Sequence, residues 1–266
     1  MPTIAPARAI EDEAAMPPLP EPPEVGRRTS PALRRALTLL AGVGGVVTVL
    51  FGAQTLIGLL ATHTTESRAS YAGVRTIDLT GAAGDVRVTA GAPGSRVAVL
   101  TRVRRGIQDP VTAASVRGGT LHLRSSCPWI GSVSCTVSYR LQIPDGLPVR
   151  VAASAGDVSV DGLSASSLDL HSDAGDVRAT GVRADRITAD SSAGDVLVDV
   201  VAPPTDLLAT SSAGDVHVTL PDAVYDLRAD TSAGDRRVDG IRQDPASTRH
   251  VTARSSAGDV VIRLRR

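Results

Sequence analysis

The sequence predicts an all-β fold, a β-solenoid of about 20-residue repeats behind one amino-terminal transmembrane helix. Three observations carry that expectation. The phrase Ala-Gly-Asp recurs at Ala83, Ala155, Ala174, Ala193, Ala213, Ala233 and Ala257, and from Ala155 onward the steps are 19, 19, 20, 20 and 24 residues. A fixed period of this size marks a stacked repeat architecture. Apolar residues alternate with polar ones on either side of each phrase, the period of a half-buried strand. Finally, 36–62 is free of charge and longer than the roughly 20 apolar residues that cross a hydrocarbon core.

Taken in order, residues 1–35 include Pro17-Pro18-Leu19-Pro20-Glu21-Pro22-Pro23 and mix acids with arginine. Such a segment has too little apolar surface to offset the entropy of ordering, so it is expected to be a disordered tail. The span 36–62 starts too far from the amino terminus, and runs too long, for a secretory signal. Arg27, Arg28, Arg34 and Arg35 precede it, while His63, Glu66 and Arg68 follow. The positive-inside bias therefore places 1–35 in the cytoplasm and 63–266 outside the cell membrane. Gly44, Thr48 and Gly52 form a ridge of small residues on which two such helices could pack into a homo-oligomer. Residues 63–73 read as a short polar linker, and the repeat domain runs over 74–266.

Aligned on Ala-Gly-Asp, each repeat reads as strand, tight corner, strand, looser turn. Leu168, Leu170, Ser172 and Ala174 alternate with polar residues, as do Ile187, Ala189, Ser191, Ala193 and their later equivalents. In the first copy the same places are Ile77, Leu79, Gly81 and Ala83. Alternation resumes after the phrase at Val158 and Val160, Val177 and Ala179, Val196 and Val198. One repeat cannot bury a face alone, so it must stack on its neighbours. Stacking lays like over like, turning Ser172, Ser191, Ser211, Thr231 and Ser255 into an internal hydroxyl ladder. The positions flanking Gly-Asp also suit a two-residue β-hairpin, so an antiparallel sandwich is the rival architecture. Only 2% of residues are aromatic, and small side chains would struggle to fill a sandwich core about 10 Å thick.

Between the first and second phrases the motif is absent, although Val97-Ala98-Val99, Leu121-His122-Leu123 and Tyr139-Arg140-Leu141 keep the strand period. Cys127 and Cys135 lie in this region, on the side expected to be oxidising, and are expected to form a disulfide. Two cysteines with no histidine nearby make a poor metal site.

The recurring Ser-Ala-Gly-Asp-Val phrase, Gly118-Gly119-Thr120-Leu121-His122-Leu123, and Tyr139-Arg140-Leu141-Gln142-Ile143-Pro144 together resemble the putative-adhesin β-strand-repeat family of bacterial membrane-anchored proteins. The resemblance covers roughly 74–266. It implies a β-solenoid-like fold, often behind a single membrane helix, with some members linked to envelope-stress systems and no catalytic residues to carry over. Arg236 departs from the pattern, a charge where the other phrases place valine.

The candidate ligand residues are the aspartates Asp85, Asp157, Asp176, Asp195, Asp215, Asp235 and Asp259. Stacked carboxylates repel, which calcium would relieve, but the glycine pattern of calcium-binding β-rolls is missing. Turn chemistry is the simpler role, with each side chain bonding nearby backbone. No enzyme is expected, because catalysis needs one unique constellation and a residue repeated on every coil is not unique. No cofactor or metal is expected either. A formal net charge of zero argues against a nucleic-acid partner. Val260-Val261-Ile262-Arg263-Leu264-Arg265-Arg266 reads as a last strand with no capping segment, an open end whose arginines either discourage edge pairing or dock a partner or a second copy. The expected function is an adhesin-like binding or structural module for an envelope protein or glycan. The alternatives are envelope-stress signalling through the tail and, less favoured, a polysaccharide-acting enzyme.

Overall fold

The computed structural model describes residues 63–92, 94, 96–105, 109–127 and 135–266. The tail 1–35 and the apolar span 36–62 lie outside the described residues. Among those that are described, no helix is long and apolar enough to cross a membrane.

Twenty strands follow one another. They are β1 (His63–Tyr71), β2 (Thr76–Ala83), β3 (Val86–Ala90), β4 (Val97–Arg105), β5 (Val111–Arg117), β6 (Thr120–Ser126) and β7 (Thr136–Ile143). Next come β8 (Val149–Ala155), β9 (Val158–Asp161), β10 (Ser167–Ser172), β11 (Val177–Val182), β12 (Arg186–Ser191), β13 (Val196–Val200) and β14 (Asp206–Ser211). The last are β15 (Val216–Leu220), β16 (Val224–Thr231), β17 (Arg236–Asp239), β18 (Arg242–Gln243), β19 (His250–Ser255) and β20 (Val260–Leu264).

They form two ten-stranded sheets, ordered β1-β4-β7-β3-β9-β11-β13-β15-β20-β17 and β18-β16-β19-β14-β12-β10-β8-β2-β6-β5. Each coil gives one strand to each sheet, and coils pair in parallel, as in β10 with β12 and β11 with β13. This is the solenoid. The sandwich rival fails because its hairpins would make consecutive strands neighbours within one sheet. Antiparallel pairing among the named strands is confined to one end, where β1 pairs β4, β4 pairs β7 and β5 pairs β6. Residues 63–71, expected within a linker, supply the edge strand β1.

The core between the sheets is made of rows of like residues. Val158, Val177, Val196, Val216 and Val260 stack on one side, all fully buried. Leu168, Ile187, Leu207 and Val251 stack on the other, followed inward by Leu170, Ala189, Ala209 and Ala253. In-register stacking places strands about 4.8 Å apart and lets β-branched side chains nest without large rings.

Two expectations about the inward rows are corrected. Ala155, Ala174, Ala193, Ala213 and Ala257 are exposed, so burial passes from Ser191 directly to Val196. The serine must stay inside to serve the corner, and the alanine is left at its tip. In the first copy a register shift in β2 brings Ala82 inward in place of Gly81 and Ala83.

Coil order departs from chain order at both ends. The coil of β19 and β20 lies between those of β14/β15 and β16/β17, and the coil of β2 and β3 lies between those of β6/β7 and β8/β9. The last strand is therefore interior, paired with β15 and β17, and is not the open end expected from the sequence. The outermost coil is the one carrying Arg236. This also accounts for the 24-residue step from Ala233 to Ala257: the chain must travel back past a coil before re-entering the stack.

Glycine stacking gives a sharp prediction. Gly194 has φ +149°, and a Cβ there would stand 2.6 Å from the Gly175 carbonyl carbon, whereas a Cβ on Gly162 at φ +61° meets nothing. Gly194→Ala should cost roughly 3 kcal/mol or more, and Gly162→Ala only about 1 kcal/mol. Denaturant melts of the two variants check the contrast; equal losses would show that coil contact is not what demands glycine.

Candidate functional site

At each corner the chain turns through Ser-Ala-Gly-Asp, and neighbouring coils use up its polar groups. The Gly175 amide donates to the Ala193 carbonyl at 2.9 Å, and the Ser191 hydroxyl donates to the Gly175 carbonyl at 2.8 Å. The Asp195 amide donates to Asp176 Oδ1 at 2.7 Å, and the Val177 amide donates to the Asp195 carbonyl at 2.9 Å. Ser172, Ser211, Ser255 and Thr231 make the same hydroxyl-to-glycine bond at 2.8–3.0 Å.

The seven aspartates therefore form one continuous ladder. Its spatial order is Asp85, Asp157, Asp176, Asp195, Asp215, Asp259, Asp235. Each Oδ1 accepts the backbone amide of the next, at 3.3 Å for the first pair and 2.7–2.9 Å thereafter. The side chain caps the next coil, a longer reach than the local turn bonding expected from the sequence. Arg178 spans two rungs, bonding Asp176 and lying 3.4 Å from Asp157. Among the described residues no three His, Cys, Asp or Glu side chains converge as a metal site would require.

Where the phrase is missing, another device links the strands. The coil of β6 and β7 lies beside that of β2 and β3, with Cys127 just after β6 and Cys135 just before β7. There Cys127 and Cys135 are joined, with their Cα atoms 5.9 Å apart. Ser125 also donates to a neighbouring coil, at 3.2 Å, but to the carbonyl of Gly81, three residues before the corner glycine Gly84. Arg236 replaces the corner valine on the outermost coil, where the position is exposed and its guanidinium reaches the Ala229 carbonyl at 3.4 Å.

The outer faces carry histidine–carboxylate pairs that sequence reading missed, most of them joining neighbouring coils. His122 Nδ1 lies 2.9 Å from Asp78, and His250 Nδ1 lies 3.1 Å from Asp226. His171 sits between two carboxylates, Nδ1 2.8 Å from Asp190 and Nε2 2.9 Å from Asp173, while the Thr210 hydroxyl donates to Asp190. Partial burial opposes protonation of His171, but the two carboxylates outweigh it and its pKa is raised. Of its two partners, Asp173 is two residues along the chain, and only Asp190 follows from register.

On the outer face of the other sheet a shallow groove is lined by Asp85, Arg87, Arg102, Arg140, Asp157 and Arg178, among others. Arg102 donates to Glu66 at 2.6 and 2.9 Å, and that bond holds the Glu66 pKa below the usual carboxylate range. Arg87 and Arg140 are direct neighbours across β3 and β7. Arg140 has no carboxylate partner among the described residues, and the nearest to Arg87 is Asp161 at 3.8 Å. Adjacent like charges are unfavourable, and Asp85 and Asp157 in the same lining offset part of that repulsion.

Fold and corner together define a β-solenoid repeat domain whose recurring phrase is consumed in joining coils. The chain belongs to the Toastrack DUF4097 family, whose model matches residues 72–266. Among solved structures, it is similar to a "putative cell adhesion protein" from Clostridium sporogenes ATCC 15579, at 13% identity and TM-score 0.48, covering 77% of this chain and 100% of that one. It is also similar to a "putative adhesin" from Bacteroides fragilis NCTC 9343, at 14% identity and TM-score 0.43, covering 76% and 97%. A "putative lipid binding protein" from Parabacteroides distasonis ATCC 8503 matches at 13% identity and TM-score 0.34, covering 77% and 97%. No curated protein matches the chain.

Two outcomes test the site. Asp195→Asn keeps an Oδ1 acceptor and should cost well under about 1 kcal/mol, while Asp195→Ala strands the Asp215 amide and should cost about 1–2 kcal/mol. Equal stability of the two variants in urea melts would remove the capping role. For His171, the raised folded pKa means its contribution is complete below the usual histidine range and fades as pH rises through the raised value. The Tm deficit of His171→Gln should therefore be larger near about pH 5.5 than near about pH 8.5.

Proposed function

We propose that the chain is a single-pass membrane protein with its tail in the cytoplasm, holding the solenoid outside as an adhesin-like binding module. The uncharged span 36–62 and the arginines before it support the anchoring. The module is a binder and not an enzyme, because its repeated carboxylates are spent on backbone amides of the next coil. One observation carries the binding reading: the cross-strand neighbours Arg87 and Arg140 at the groove on the outer sheet face, of which Arg140 has no ion pair among the described residues. The partner that fits is an acidic envelope component, glycan or protein, seated on this groove.

Full-length protein in detergent should bind isolated cell envelopes, and Arg87→Glu with Arg140→Glu should weaken that binding roughly tenfold, with a weaker salt dependence. Alkaline phosphatase should be active when fused after Arg266 and inactive when fused before Met1. Unaltered binding by the double variant, turnover of envelope glycan, or the reverse fusion pattern would overturn the reading.

A further inference from the structure

A sheet end presents unpaired amides and carbonyls, and proteins blunt such edges with charge, brevity or bulges. Three of the four sheet ends here are blunted. Strand β17 carries Arg236, Arg237 and Asp239, β18 is two residues long, and β1 carries Glu66 and Arg68. The fourth, β5, is different. Val111-Thr112-Ala113-Ala114-Ser115-Val116 holds six uncharged residues with no proline and an unbroken register against β6. Two of the five exposed large hydrophobic residues among the described residues, Val111 at 65% and Val116 at 41%, belong to it. Among the described residues nothing pairs with its outer side.

Hairpin geometry fixes which groups are free. Gly118 and Gly119, at φ +58° and +82°, make a two-residue turn that closes on Arg117 opposite Thr120. In such hairpins the closing pair is hydrogen-bonded, so alternate residues, Thr112, Ala114 and Val116, direct their amides and carbonyls away from β6.

We propose that β5 is a dimerisation edge that pairs antiparallel with β5 of a second copy, joining two sheets into one. The segment is self-complementary about Ala114. Thr112 then faces Val116, Ala113 faces Ser115, and Val111 faces Arg117, so no like charges oppose and about six backbone bonds form. Asp109, whose side chain is 73% exposed beside Arg105, falls diagonal to Arg117 of the second copy, within reach of an ion pair. The small side chains at the centre let the strands approach, and the two exposed valines of each copy are covered. This surface is separate from the Arg87 and Arg140 groove and stands whether or not that groove binds envelope.

The test is sedimentation velocity on the purified full chain in detergent at roughly 50 µM, where a modest strand-edge affinity populates a dimer. The wild type should sediment as a dimer. Ala114→Lys, which sets two charges together on the two-fold axis, should be monomeric with an unchanged circular dichroism spectrum. Ala114→Cys should be trapped as a covalent dimer by a short bis-maleimide, a positive result that does not depend on the lysine variant folding. A monomeric wild type, a dimer that survives Ala114→Lys as one held by the span 36–62 would, or hydrogen-exchange protection of Ala114 within a monomer would each overturn the proposal.

Discussion

The structure depends on one exchange of hydrogen bonds, made where each coil turns from one sheet to the other. A Ser-Ala-Gly-Asp corner exposes four backbone groups that neither sheet ladder can serve, and buried or half-buried groups of this kind are costly when unpaired. Adjacent coils supply all four partners: a carbonyl for the glycine amide, a hydroxyl for the glycine carbonyl, a carboxylate for the aspartate amide and an amide for the aspartate carbonyl. Each residue type follows from that requirement. Serine must point inward and be short, and glycine must let the next backbone lie against it. Aspartate must offer an oxygen one coil along.

This explains how a thin core suffices. Rows of valine, leucine and alanine bury modest area per coil, but each added coil also completes the corner bonds of its neighbour. Stability then grows by repetition, as in other quasi-one-dimensional folds. Where the phrase is absent, between β6 and β7, a covalent link joins Cys127 to Cys135.

Much of this was legible in the sequence because a repeat reports its own geometry. The period gave the coil, the alternation gave the strands, and the Ser172-to-Ser255 series gave the hydroxyl ladder. What escaped reading has physical causes. The exposed alanines escaped because alternation was extrapolated one step past the serine, where the corner breaks it. The His171, Asp173 and Asp190 cluster escaped because Asp190 joins the local His171 and Asp173 pair only when register is known. Strand β5 escaped because Val111-Thr112-Ala113-Ala114-Ser115-Val116 lacks the strong apolar alternation of a buried strand: both of its faces are largely open.

The exchange of coil order was the least legible feature, since parallel rows of identical phrases accept either order. Its energetic logic lies in what the outermost coil must do. An end coil has no neighbour to cover one side, so an apolar inward row there would face water. The sequence places its least apolar repeat, with Arg236 at the valine position and Thr231 at the serine position, in that role. The better apolar repeat, with Val251, Ala253, Val260 and Ile262, is folded back into the interior, where all four are fully buried. Chain order would have put that repeat at the end and the charged one inside. The arginine that looks like a flaw in the repeat thus suits the end position that the exchanged order gives it, and the long link from Gly240 to Arg249 spans the coil that the exchange inserts.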